Sequence, residues 1–293
     1  MVVVAKYYNG DRNIIQPKIK KINLEPMAAN SPSNKILALD FDGVICNGLR
    51  EYFETAKNAY NQIWQQNLGE NLASNLEIEP EIWRQDFYAL RPVVESGWEM
   101  PLVLRALKLG FTAENILEDW IAIAQKILTS ENLHAPEIAQ IVDSLRDLWI
   151  AQNLTDWLSY HEFYPGVIAK IQQVQALGVE LLIISTKEGR FIQELLTQVG
   201  VDLPRASILG KETKRSKPEI LQQLLTRNPQ VTIWFVEDRL KTLEKVASLP
   251  ALEEVKLFLA DWGYNTQAMR ATVGDHPRIT LISLAQFSEF DLS

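Results

Sequence analysis

Cysteine is almost missing from this 293-residue chain, and no part of it stays apolar for long. The single Cys46 excludes an internal disulfide and fits a reducing compartment. No apolar run approaches the roughly 20 residues needed to cross a bilayer, so no membrane segment is expected. The opening run Met1–Ala5 is too short for a signal-peptide core and meets Lys6 at once, so the expected localisation is cytoplasmic. An excess of basic residues is missing too. The formal net charge of −8 argues against a general nucleic-acid binder. Internal repeats and low-complexity tracts are absent. Apolar residues, by contrast, make up 47% of the chain, enough to fill one large domain or two modest ones.

Residues 1–34 mix polar, Pro and Asn residues with little periodicity and read as an N-terminal extension, with one strand near Val2–Tyr7. From Lys35 the pattern changes. Nearly continuous Val/Ile/Leu runs mark strands at Ile36–Leu39, Glu180–Ile184, Ala206–Leu209, Val231–Val236, Val255–Leu259 and Ile279–Ile282. Such runs are expected of parallel strands covered on both faces. Amphipathic helices fall between them, for example Val167–Leu177 and Arg190–Val199. Alternation of this kind predicts a doubly wound α/β domain with a mainly parallel, Rossmann-like sheet.

Between Asn47 and about Glu162 only helical periods occur. Tyr52, Phe53, Ala56, Tyr60, Ile63 and Trp64 form one stripe; stripes starting at Ile116 and Ile138 form two more. A segment this long is too large for a loop and must be a second packed unit. The expected division is therefore an α/β core from 35–46 and 163–293, with an all-helical insert at 47–162. Five tryptophans from Trp64 to Trp149 are read as core of that insert. Arg84, Arg91, Glu95 and Trp98 lie in a polar–aromatic stretch that either faces a cleft or forms an exposed helix face.

Chemistry is concentrated where strands end. The first strand runs into Asp40-Phe41-Asp42-Gly43. Side chains alternate along a strand, so Asp40 and Asp42 project the same way. Carboxylates crowded at the end of a buried strand repel one another unless a cation or a chemical task holds them there; a solvated turn is the alternative. Cys46 follows closely, but no histidine stands nearby in sequence, and a buried filler is the better reading. At the end of the next strand, the hydroxyls of Ser185 and Thr186 could donate to an anionic oxygen, or a hydroxyl could cap the following helix. Lys217 precedes Pro218 at a helix start, where a cation is uncomfortable unless an anion meets it; a solvated lysine in a basic stretch is the alternative. Glu237 and Asp238 end an apolar strand and suit a hard cation such as Mg²⁺, unless they merely begin a helix.

Taken in order, these segments resemble the four motifs of the haloacid dehalogenase-like hydrolase superfamily: Asp40-Phe41-Asp42-Gly43-Val44, Ser185, Lys217, and Glu237-Asp238. Phe163-Tyr164-Pro165-Gly166-Val167 is similar to the segment before the second motif in phosphoglycolate-phosphatase-like and β-phosphoglucomutase-like members. The resemblance spans about residues 35–285 and makes the helical insert a cap. It implies a Mg²⁺-dependent phosphatase of a small phosphorylated metabolite, of the phosphoglycolate or sugar phosphate class. Asp40 would be the nucleophile and Asp42 the acid and base. Ser185, Thr186 and Lys217 would bind the phosphoryl group. Asp40, the Asp42 main-chain carbonyl, Asp238 and Glu237 would hold the metal.

The chain departs from that pattern in three places. Thr242 stands where many family phosphatases carry a further aspartate, Tyr52 stands where the mutase places a histidine, and Asn47-Gly48 replaces the usual polar pair. A phosphosugar mutase and a catalytically idle binding protein on the same scaffold are the rival readings.

Overall fold

The computed structural model describes residues 34–65 and 80–292. The expected N-terminal extension and its strand near Val2–Tyr7 lie outside the described residues. The described chain belongs to one compact unit, Ser33–Ser293.

A six-stranded sheet organises this unit. Its strands are β1 (Lys35–Leu39), β4 (Glu180–Ile184), β5 (Ile208–Leu209), β6 (Thr232–Glu237), β7 (Lys256–Ala260) and β8 (Ile279–Ile282). All pair in parallel, in the order β5-β4-β1-β6-β7-β8. Period-two alternation divides each strand between two apolar layers. Leu37, Leu39, Leu181, Ile183, Trp234 and Val236 face one layer. Ile36, Ala38, Leu182, Ile184, Ile233 and Phe235 face the other. Burial on both faces explains why these strands read as unbroken apolar runs.

Helices α6 (Val167–Ala176), α7 (Gly189–Gln198), α8 (Lys217–Arg227), α9 (Leu240–Ala247), α10 (Gln267–Val273) and α11 (Leu284–Ser288) accompany the sheet. The connection leaving β1 runs toward β4, and the one leaving β6 runs toward β7, in opposite directions along the sheet. Ligands of open α/β sheets bind at such a switch point, outside the carboxyl ends of the strands. Leu39 pairs with Val236, so Asp40 is brought beside Glu237 by register alone.

Among the described residues, five α-helices lie between Asn47 and Glu162: α1 (Leu49–Trp64), α2 (Pro80–Leu90), α3 (Glu99–Lys108), α4 (Ala113–Ser130) and α5 (Ala135–Ser159). They enclose an apolar cluster of their own, built around Phe53, Phe87, Leu102, Trp120 and Ile138. Trp64, Trp83 and Trp98 pack against it, as the sequence suggests, but Trp149 packs on the sheet-side cluster instead. Further along, α5 breaks at Asn153 (φ −155°, ψ 80°). There the Asn153 side chain accepts from the Asp156 amide at 3.0 Å and restarts the helix. Beyond the break, Trp157 and Leu158 also join the sheet-side cluster.

The insert is entered and left through a two-residue antiparallel pair, β2 (Cys46–Asn47) with β3 (Glu162–Phe163). Periodicity cannot announce strands so short. Ala206 and Ser207, expected in β5, instead lie in a short 3-10 turn. Phe235 is fully buried at the centre of the sheet, so Phe235→Ala is expected to cost about 3–5 kcal/mol in chemical denaturation.

Candidate active site

Asp40 follows β1, and its amide donates to the Val236 carbonyl at 3.0 Å, which extends the ladder by one residue and fixes the carboxylate at the sheet's edge. The side chain is buried, and Phe41 turns away into the sheet-side core. Lys217 opens α8, with Pro218 behind it and Glu219 accepting from the Ser216 amide at 2.7 Å. Its ammonium lies 2.9 Å from Asp40 Oδ2 and 2.5 Å from Glu237 Oε2, so the lysine is buried and paired rather than solvated. Burial works against its charge, but Asp40 and Glu237 outweigh that and raise its pKa. The second Glu237 oxygen accepts from the Arg239 amide at 3.0 Å.

Asp238 is held in a slot made by two glycines. Gly43 has φ +87°, and a Cβ there would lie 2.1 Å from Asp238 Oδ2. A Cβ on Gly263 would lie 2.2 Å from Asp238 Cβ. Oδ2 accepts from the Tyr264 amide at 2.7 Å, while Oδ1 is buried with no hydrogen-bond partner among the described residues. Neither Glu237 nor Asp238 begins a helix, since α9 starts at Leu240 behind Arg239. Asp40, Glu237 and Asp238 each offer an oxygen within 4.8 Å of the others. Burial pushes all three carboxyls up, Lys217 opposes it most strongly at Asp40 and Glu237, and the Asp40 charge adds to it at Asp238. Hard oxygen donors, a local excess of negative charge and an orphaned buried oxygen together fit a small divalent cation.

A cleft runs from this edge beneath the helical insert. One lobe, about 450 Å³, is lined by Asp40, Asp42, Thr186, Lys217, Asp238 and Arg239, among others. A second lobe, about 340 Å³, continues past Asp42 and Thr186 to Lys187, Glu51 and Arg146. Thr186 lines both lobes. Ser185 is buried at the end of β4, where its hydroxyl accepts from the Lys187 amide at 3.2 Å and caps no helix. Cys46 is buried, and burial pushes its thiol well up, which suits a filler and not a nucleophile.

Of the polar–aromatic stretch, Arg91 and Glu95 line both lobes. Arg84 instead lines a separate cavity with Arg50 and Tyr88. The Arg91 guanidinium lies between the rings of Tyr52 (4.8 Å) and Tyr264 (4.7 Å) and donates to the Val94 carbonyl, while its Nε is buried without a hydrogen-bond partner among the described residues. Sequence reasoning passed over Tyr264, Lys187, His161, Glu51 and Arg146. Tyr264 follows the carboxyl end of β7, a position that the switch-point rule flags; Lys187 sits two residues beyond Ser185. The other three carry no local signal.

The segment 34–244 matches the family model for haloacid dehalogenase-like hydrolases. The chain belongs to that family. A predicted phosphoglycolate phosphatase from Haemophilus somnus 129pt is similar in fold, with a TM-score of 0.54 at 15% identity over 88% of this chain and 98% of that one. A predicted phosphatase from Clostridium acetobutylicum is also similar, with a TM-score of 0.52 at 12% identity over 87% of this chain and 96% of that one. Among curated proteins none matches. Within this haloacid dehalogenase-like hydrolase, no helix of the described residues is long and apolar enough to cross a membrane.

One ion pair with a buried carboxylate ties the insert together beside the cleft. Glu51 is fully buried on α1 and accepts from Arg146 Nε of α5 at 2.7 Å, from Trp157 Nε1 at 3.2 Å and from Thr55 at 2.8 Å. Burial alone would raise its pKa; the Arg146 charge outweighs that and holds it at about 2. Arg146→Met leaves this charge buried and unpaired and is expected to cost about 3–5 kcal/mol near neutral pH. The wild type keeps the pair's contribution above the ordinary carboxylate range and loses it as pH falls toward about 2. In the variant burial loses its strongest opponent and Glu51 takes up a proton more readily, so the deficit should shrink from about pH 7 to about pH 4 in paired denaturation curves.

Proposed function

We propose that this hydrolase is a phosphatase of small phosphate monoesters that works through an aspartyl-phosphate, with a core at 35–46 and 163–293 and a substrate-selecting cap at 47–162. The observation that carries this reading is the Lys217 ammonium held between Asp40 and Glu237, beside an Asp238 oxygen that accepts no hydrogen bond among the described residues. Carboxylates and a phosphoryl dianion can share one pocket only with cationic compensation. Lys217 supplies part of it. Asp40, Asp238 and the Asp42 main-chain carbonyl would hold Mg²⁺, with Glu237 closing the carboxylate group. Bound there, Mg²⁺ would neutralise developing charge on the phosphoryl oxygens.

In the first step an Asp40 oxygen attacks phosphorus, the bond to the ester oxygen breaks, and Asp42 gives that oxygen its proton. Water then attacks the acyl phosphate, Asp42 takes the water's proton, and phosphate and the Asp40 carboxylate are released. Ser185, Thr186 and Lys217 bind the phosphoryl oxygens, Thr186 and Lys217 from the wall of the larger lobe. Arg91, braced by two tyrosine rings at the junction of the lobes, meets the remainder of the substrate.

The phosphatase descriptions of the two similar structures support this class, and the phosphoglycolate description makes a small metabolite the natural substrate. Tyr52 is buried against Tyr264, with no imidazole in its place, which favours hydrolysis over phosphoryl return to a sugar. A chain whose described helices are too polar or too short to cross a membrane fits a cytoplasmic enzyme.

Purified protein given a panel of phosphate monoesters with Mg²⁺ should release inorganic phosphate, and chelation should stop it. Asp40→Asn should lower the rate by about a thousandfold or more. Release that survives Asp40→Asn, or no release from any ester, would overturn the reading. A separate panel should find that Arg91→Ala raises KM on the preferred ester by about tenfold or more while kcat falls less. Equal KM values for the two proteins would remove Arg91 from the substrate site.

A further inference from the structure

Lys187 ends the turn after β4, and its side chain is only 10% exposed. Its ammonium donates to Asp42 Oδ1 at 3.2 Å, the one hydrogen bond that the Asp42 carboxylate makes among the described residues. The same nitrogen lies 3.2 Å from His161 Nε2 and 5.3 Å from the centre of the Trp157 ring. His161 is itself buried, with Nδ1 3.2 Å from the Trp157 carbonyl oxygen. A carbonyl can only accept, so Nδ1 carries the ring proton and Nε2 is left as an acceptor. Burial, reinforced by the Lys187 charge, holds the His161 pKa down at about 4, and the ring is neutral.

Three distant segments therefore meet in one chain of hydrogen bonds: Trp157 carbonyl, His161 ring, Lys187 ammonium, Asp42 carboxylate. Two of the ammonium's three N–H directions are taken, and the indole lies under it, so the side chain has little freedom to swing. The partners also separate Lys187 from Lys217. Lys217 meets Asp40 and Glu237; Lys187 meets Asp42 and the imidazole.

We propose that Lys187 is a positioning residue that aims the Asp42 carboxyl at the leaving oxygen, and that His161, just before the return strand β3, is the acceptor that fixes Lys187. This rests on the reading of Asp42 as the acid of ester hydrolysis. The proton passes from Asp42 to the ester oxygen as the Asp40–phosphorus bond forms and the phosphorus–ester bond breaks. Lys187 keeps its own protons throughout.

A poorly aimed acid matters most when the leaving group is a strong base. An alkoxide must be protonated as it leaves, whereas nitrophenolate departs without help. The test compares wild type, Lys187→Met, Lys187→Arg and His161→Phe on glycerol phosphate and on p-nitrophenyl phosphate. Lys187→Met should lower kcat on glycerol phosphate by about tenfold or more beyond its loss on p-nitrophenyl phosphate, a part of the usual range for general acids. KM should stay within about threefold on both. His161→Phe should follow in the same direction by less, and Lys187→Arg should recover part of the loss. Equal losses on the two esters, or a loss carried by KM, would overturn the proposal and make Lys187 a structural or phosphate-binding residue.

A substrate-free measurement separates this from failure of the phosphatase reading. The chain has three histidines, so long-range ¹H–¹⁵N spectra can resolve the His161 ring directly. The wild type should show a neutral Nδ1–H ring whose Nε2 resonance shifts in Lys187→Met. An Nε2–H ring, or no shift, would refute the contact whether or not any ester is cleaved.

Discussion

One buried ammonium holds the active edge of this sheet together. Parallel pairing places Asp40 beside Glu237 and Asp238, three acidic groups that would repel one another once water is excluded. Lys217 enters from the start of α8, where the helix dipole disfavours it, and spans two of the three. Among the described residues no ion pair reaches Asp238, and its Oδ1 accepts no hydrogen bond. The crowded oxygen donors of this edge fit a small divalent cation.

The helical insert is coupled to that edge through buried polar contacts. The Tyr264 hydroxyl, beyond β7, accepts from the Gly48 amide at 2.8 Å, where the insert begins. Its own amide holds Asp238. Arg239 donates to the Val94 carbonyl at 2.6 Å, so the turn after the acidic pair grips the insert directly. At the exit from the insert, His161 and Trp157 surround Lys187. Entry, exit and roof of the cleft thus each touch a residue that touches the acidic edge. A cap that closes over a substrate would pull on the same groups that perform the chemistry.

Legibility in the sequence followed the range of the interactions. The sheet was readable because strands buried on both faces must be continuously apolar, and five of the six strands matched within one residue at each end. Asp40, Asp42, Glu237 and Asp238 were readable because strand ends are where an α/β sheet puts its chemistry. Lys217 was visible only as an awkward cation at a helix start; its partners are brought to it by register and tertiary packing. The break at Asn153 and the β2–β3 pair lie below the length at which periodicity speaks. Tyr264 with Gly48, and Lys187 with Asp42, join residues 216 and 145 positions apart, and no local pattern encodes such contacts.

The most direct measurement of the central claim is ¹⁹F NMR of the protein with beryllofluoride, a mimic of a phosphoryl group that bonds to a carboxylate oxygen. The account predicts bound resonances that require Mg²⁺ and that vanish in Lys217→Met and in Asp238→Asn. Bound resonances that persist in full after the Mg²⁺ is chelated, or that survive both substitutions, would contradict it.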